Sequence, residues 1–178
     1  MPLFRPGEEM SFPREVFADV LSANQDYAAA YSPPARTGTA QRGLALVTCM
    51  DSRILPLEAM GMKVGDVKIL RNAGARVTDD VMRTLVLGAY LLGVNRVLVM
   101  PHTECRMASS EEAAVHALIY EQSGVDTRSI EFRTTQDQIT ALRIDVARVR
   151  SSPLLPPDLV VAGAMFDMRT GQIIPMDF

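Results

Sequence analysis

Apolar residues in this chain gather in short, nearly continuous runs, separated by longer stretches in which they recur every three or four positions. The runs are Leu44-Ala45-Leu46-Val47-Thr48-Cys49, Val67 to Leu70, Val97 to Met100, Leu159 to Phe166 and Ile173 to Met176. Runs this short, bounded by turn residues such as Gly65-Asp66 and Thr170-Gly171, predict buried strands.

The stretches between them predict helices. Val16, Phe17, Val20, Leu21 and Tyr27 lie at roughly helical spacing, which predicts a helix from near Pro13, capped by Ser11 and ending before Ser32-Pro33-Pro34. Residues 1 to 10 read as irregular. Pro56 and Glu58 predict a short helical turn ending near Gly61. Thr78 followed by Asp79 and Asp80 is a strong helix start, because a hydroxyl and two carboxylates satisfy free amides and complement the dipole. The following segment, Val81 to Leu92, is apolar nearly all round, so it is expected to be buried on two sides, between the sheet and another layer or a second subunit. Ser109-Ser110-Glu111-Glu112 reads as a capping box for a helix reaching Ser123-Gly124. A last helix, from about Thr135 to Val149, carries Ile139, Leu142, Val146 and Val149 on one stripe.

Strands that are almost continuously hydrophobic and alternate with helices imply a mainly parallel sheet covered on both faces. The expected architecture is therefore a single α/β domain, residues 35 to 178, preceded by an N-terminal arm and helix, residues 1 to 34, that packs on its own sheet or on a partner. In such sheets ligands bind beyond the carboxyl ends of the strands.

Composition narrows the function. The 178 residues are 48% hydrophobic and 22% charged, with a net charge of -3, no block of Lys and Arg, and 6% aromatic residues. Nothing here is an electrostatic footprint for nucleic acid or an anionic membrane, which points to small-molecule chemistry. Met1-Pro2-Leu3-Phe4-Arg5-Pro6-Gly7 lacks a signal pattern, and no apolar run approaches the ~20 residues of a span, so the protein is expected in the cytoplasm. Two cysteines in a reducing compartment favour a metal or catalysis over a disulfide.

Both cysteines stand at strand ends. The first run delivers Cys49, Asp51 and Arg53 at alternate positions, and the third is followed by His102-Thr103-Glu104-Cys105. Cys49, His102 and Cys105 predict a three-ligand zinc site with its fourth position open, as catalytic sites have and closed structural sites lack. Two thiolates cancel the ion's formal charge, so such a site needs help from neighbours. Asp51 is placed either to accept a hydrogen bond from water or to bind the metal itself, and a bidentate Arg53 decides between these by holding the carboxylate away. A phosphatase-type role for Cys49 carries little weight, because that loop wants five residues between Cys and Arg and this chain has three. His116 and the methionines Met60, Met62, Met100 and Met107 read as packing residues.

Taken with Arg71-Asn72-Ala73-Gly74 and Phe166-Asp167-Met168-Arg169-Thr170-Gly171, these motifs closely resemble the β-class carbonic anhydrases in order and spacing, over roughly Leu44 to Met176. The resemblance implies reversible hydration of carbon dioxide to bicarbonate and a proton by zinc-held hydroxide. It implies one zinc per chain on Cys49, His102 and Cys105, and Asp51 with Arg53 as the catalytic dyad, Asp51 being the fourth ligand only in a closed state. It also implies a homodimer or dimer of dimers, with the N-terminal arm and helix, residues 1 to 34, packing on the partner subunit. Carbonyl sulfide and carbon disulfide are alternative substrates for the same site. Arg106 stands where many relatives carry glycine; a bulky cation there is expected to disturb the backbone or narrow access to the metal, leaving a catalytically silent zinc-binding regulatory protein as a further alternative.

Overall fold

All five apolar runs become strands of one sheet in the computed structural model, which describes residues 11–32 and 37–178. The strands are β1 (Leu44–Cys49), β2 (Val67–Asn72), β3 (Arg96–Met100), β4 (Val160–Phe166) and β5 (Ile173–Met176), in the spatial order β2-β1-β3-β4-β5. The first four are parallel and β5 is antiparallel to β4. A tight turn suffices to reverse the chain between β4 and β5, whereas each parallel return needs a crossover. The register sets Thr48 opposite both Arg71 and Met100, so β1 sits centrally and delivers Cys49 at its carboxyl end.

Helices α2 (Pro56–Ala59), α3 (Asp79–Leu91), α4 (Glu112–Ser123) and α5 (Gln138–Arg150) complete this unit. One face of the sheet carries the larger core, in which Ala45, Val47, Val97, Val99 and Val161 meet Val81 and Leu85 of α3 and Leu142, Val146 and Val149 of α5. Gly163 makes that close approach possible: a Cβ there would lie 3.1 Å from Val146 and 3.2 Å from Leu142. The second face carries a smaller cluster of Leu46, Ile54, Met100, Ala164 and Phe166 together with both cysteines. Val67, Ile69, Leu98 and Ile173 on that cluster are only partly buried, so the sequence-based expectation of full cover on both faces is not met within one chain.

Several local expectations are corrected. The described residues fall in two compact units, one within 1–35 and one within 36–178. In the first, the helix is α1 (Ala18–Ala29), which starts later than Pro13 and has Phe17, not Ser11, at its cap. It buries none of its residues. The expectations for residues 1–10 and for Pro33-Pro34 lie outside the described residues. Helix α3 is capped as expected, with Val81 N donating to Thr78 Oγ1. It is not buried on two sides in one chain, however: Val81, Leu85 and Gly88 face inward, while Leu87, Tyr90 and Leu91 are 42%, 62% and 68% exposed. The capping box at 109–112 does not form. Glu111 is the cap without a side-chain bond, and the Glu112 carboxylate instead accepts from Phe132 N at 2.7 Å and Arg133 N at 3.1 Å. A distant backbone segment with free amides outcompetes the local partner.

Candidate metal centre

The carboxyl ends of β1 and β3 bring Cys49, His102 and Cys105 together, all three buried, with their ligand atoms within 4.8 Å of one another. The two sulfurs are 4.0 Å apart, within reach of a thiol hydrogen bond, and form no disulfide. Zinc with ~2.3 Å bonds to two tetrahedral thiolates sets sulfurs about 3.8 Å apart, so the pair is spaced for a shared ion and far too wide for a disulfide.

His102 is oriented by its own neighbour. Nδ1 lies 2.8 Å from Thr103 O, to which it donates, leaving the Nε2 lone pair facing the sulfurs. Gln138 of α5 donates to His102 O at 3.0 Å and fixes the backbone. Nε2 is the one buried side-chain polar atom without a hydrogen-bond partner among the described residues. An orphaned buried imidazole nitrogen costs free energy unless something binds it, and with two soft sulfurs beside it zinc fits the donor set.

Backbone amides prepare the sulfurs. A hydrogen bond from the Cys105 thiol holds Cys49 below the ordinary thiol range, against the opposing effect of burial. His102 and the N–H groups of Asp51 and Gly74 act in the same direction. That shared bond, followed by burial, pushes Cys105 up. The adjacent Cys49 sulfur raises His102. Gly74 can point its amide inward because it sits at φ +78 in the 3-10 turn Ala73–Ala75, a region open to glycine. Asn72 closes that turn, donating to Arg76 O at 2.7 Å and accepting from Arg76 N at 2.8 Å.

Asp51 and Arg53 stand just beyond Cys49. Arg53 donates through Nε to Oδ1 at 3.0 Å, through Nη2 to Oδ2 at 2.7 Å, and through its backbone N to Oδ1 at 3.0 Å. Arg53 thereby holds the Asp51 carboxyl well below the usual carboxylate range. Oδ2 lies 3.8 Å from His102 Nε2, on the metal side of the cluster.

Sequence reading missed what supports this loop. Arg71 donates to the carbonyls of Cys49 at 2.9 Å and Ile54 at 3.4 Å, and also to Asp51 O. Behind the 3-10 turn, Arg76 Nε pairs with Asp145 of α5 at 2.7 Å, both nearly buried. Only an unpaired Asp145 inside an otherwise apolar helix face hinted at it. The concern over Arg106 is answered in part: its φ is not in the positive region, and it opens the 3-10 turn Arg106–Ala108 without displacing Cys105 from the cluster.

Comparison with known proteins agrees with this geometry. The family described as "Carbonic anhydrase" matches residues 44–173. The "Beta-carbonic anhydrase 1" of Mycobacterium tuberculosis is 31% identical over 156 residues, covering 87% of this chain and 94% of the relative. The crystal structure of carbonic anhydrase from Streptococcus mutans superposes with a TM-score of 0.85 at 34% identity, covering 94% of this chain and 100% of that one. A "Carbon disulfide hydrolase" of Acidithiobacillus thiooxidans is 27% identical over 158 residues, covering 77% of this chain and 78% of the relative. The chain belongs to the β-carbonic anhydrase family.

Proposed function

We propose that the chain catalyses the reversible hydration of carbon dioxide to bicarbonate and a proton, with one zinc ion held by Cys49, His102 and Cys105. The observation that carries this reading is the convergence of two cysteine sulfurs on an orphaned imidazole nitrogen, with an Arg-bound carboxylate at its edge. Bound zinc would supply Lewis-acid activation of water, whose pKa falls to about 7 in favourable sites.

The chain's own residues do the rest. Asp51 Oδ2, kept ionised by Arg53, accepts the hydrogen bond of the reacting water and orients it. Arg53 occupies both carboxylate oxygens and so would hold Asp51 away from a bound zinc, which the carboxylate could reach as a fourth ligand only with that fork open.

A second copy completes the molecule in this reading, as a homodimer or a dimer of dimers. Val16, Val20 and Tyr27 in and before α1 are 75%, 57% and 63% exposed, and Leu91 of α3 is 68% exposed. Apolar surface of this kind is stable when buried against a partner, with residues 1–34 as the arm that reaches it. The two free thiols suit a reducing, cytoplasmic setting. No helix among the described residues is long and apolar enough to cross a membrane.

The second reading, hydrolysis of carbon disulfide or carbonyl sulfide at the same site, is favoured by the relatives named carbon disulfide hydrolase. Rates on carbon dioxide, carbonyl sulfide and carbon disulfide with one zinc-loaded sample decide between them: the first reading expects hydration of carbon dioxide to dominate, and sulfur-substrate hydrolysis without hydration overturns it. Loss of all three with full zinc occupancy would leave a silent zinc protein.

A further inference from the structure

Glu104 sits between His102 and Cys105 in a left-handed conformation, φ +58, that non-glycine residues other than Asn and Asp seldom adopt. Local propensity does not explain a glutamate there. Its contacts do. Oε1 accepts from Arg169 Nε at 2.7 Å, and Oε2 lies 3.9 Å from Arg53 Nη1. Arg53 spends Nε and Nη2 on Asp51, so the Nη1 edge is the one left to face Glu104.

Arg169 is itself anchored. It lies in the β4–β5 turn, where its backbone N donates to Asp167 Oδ1 at 2.8 Å. That turn is bolted to the ligand loop by Thr103, whose N donates to Phe166 O at 2.9 Å and whose Oγ1 accepts from Met168 N at 3.0 Å. Charges therefore alternate along Arg169, Glu104, Arg53 and Asp51, with both ends held by backbone that the sheet fixes.

We propose that Glu104 is a positioning residue: it holds Arg53 from the side opposite Asp51, with Arg169 holding Glu104 in turn, and the chain of four sets where the Asp51 carboxylate points. The proposal rests on the reading of Asp51 and Arg53 as the catalytic pair. The length of glutamate matters, because only its reach joins both arginines, and that reach is what the strained backbone supports. Arg53, Glu104 and Arg169 have side chains 52%, 43% and 82% exposed, so the coupling is screened by solvent and weakens with added salt.

The deciding variant is Glu104→Asn. Asparagine suits the left-handed backbone and lacks the reach, so stability and positioning move in opposite directions. The melting temperature is expected to hold or rise and zinc content to stay stoichiometric, while kcat/KM for carbon dioxide hydration falls about threefold to tenfold at low ionic strength and the gap narrows in high salt. Arg169→Gln should reproduce the loss, and the double variant should be no worse than either alone, because the links act in series. A readout without turnover accompanies these: the Arg53 Nε–H group, followed by nuclear magnetic resonance in zinc-free protein, should gain fast motion in both single variants. Unchanged Arg53 motion, or losses from the two variants that add independently, overturns the proposal. Wild-type protein that binds zinc but hydrates nothing would instead contradict the functional reading, and the Arg53 motion would still decide the coupling.

Discussion

Arg53 grips both carboxylate oxygens of Asp51, at 3.0 Å through Nε and 2.7 Å through Nη2, and adds its own backbone amide to Oδ1. The grip is local, closing over two residues, so the loop can form before any metal binds. Arg53→Ala is expected to leave zinc content intact and cut carbon dioxide hydration by about tenfold to a hundredfold, the usual cost of losing an outer-sphere partner. Arg53→Lys should recover little, since an ammonium cannot reproduce the planar fork. Stopped-flow rates with zinc assayed on the same samples check this; a fully active Arg53→Ala would show that Arg53 does not control Asp51.

If Cys49, His102 and Cys105 hold zinc, stability should depend on the metal. Metal that binds the folded state and not the unfolded one stabilises it by mass action, by about 2.7 kcal/mol at a hundred times its Kd. Wild-type protein should therefore melt higher in zinc than after chelation. His102→Ala removes the orphaned nitrogen, and its melting temperature should respond far less to zinc.

Much of this site was legible because Cys49 ends one strand while His102 and Cys105 closely follow another. The apolar run Leu44 to Thr48 stops at Cys49, and Val97 to Met100 stops two residues before His102, so a parallel sheet had to bring them to one edge. The partners that hold the ligands were not legible, because they come from elsewhere in the chain. Arg71 reaches three carbonyls across a neighbouring strand, and Glu104 meets Arg169 across 65 residues. Local rules failed where a distant partner won, as at Glu112, which leaves the predicted capping box for the amides of Phe132 and Arg133. They failed again at α3, whose outer side is apolar in sequence and exposed in one chain, because a sequence shows which surface is apolar without showing which molecule covers it.

Arg76 and Asp145 join the loop beneath the cluster to α5 with side chains only 15% and 3% exposed. Arg76 also donates to Arg133 O at 3.0 Å. Breaking a buried pair strands a charge, so Asp145→Ala should destabilise the protein by ~3–5 kcal/mol. Asp145→Ala combined with Arg76→Met should cost less than Asp145→Ala alone. Urea unfolding of the variants measures both.

Acid should remove one cap. Asp137 accepts from Thr140 N at 2.9 Å at the start of α5, and its bonds to Thr140 lower its pKa from the ordinary 3.8. A depressed carboxylate stabilises the fold above its unfolded value and loses that contribution as pH falls through the lower folded one. Asp137→Ala should thus lower the melting temperature at neutral pH, and the gap from wild type should close at pH values below about 4. A gap that is constant down to strong acid would contradict the charge-assisted cap.

Stopped-flow hydration of carbon dioxide, at mildly acidic and mildly alkaline pH and with zinc content measured on the same sample, tests the central claim most directly. Fast turnover is expected, scaling with zinc content and growing with pH, since zinc held by Cys49, His102 and Cys105 would supply the acidification of water that the reaction needs. Stoichiometric zinc with no turnover at either pH would contradict it.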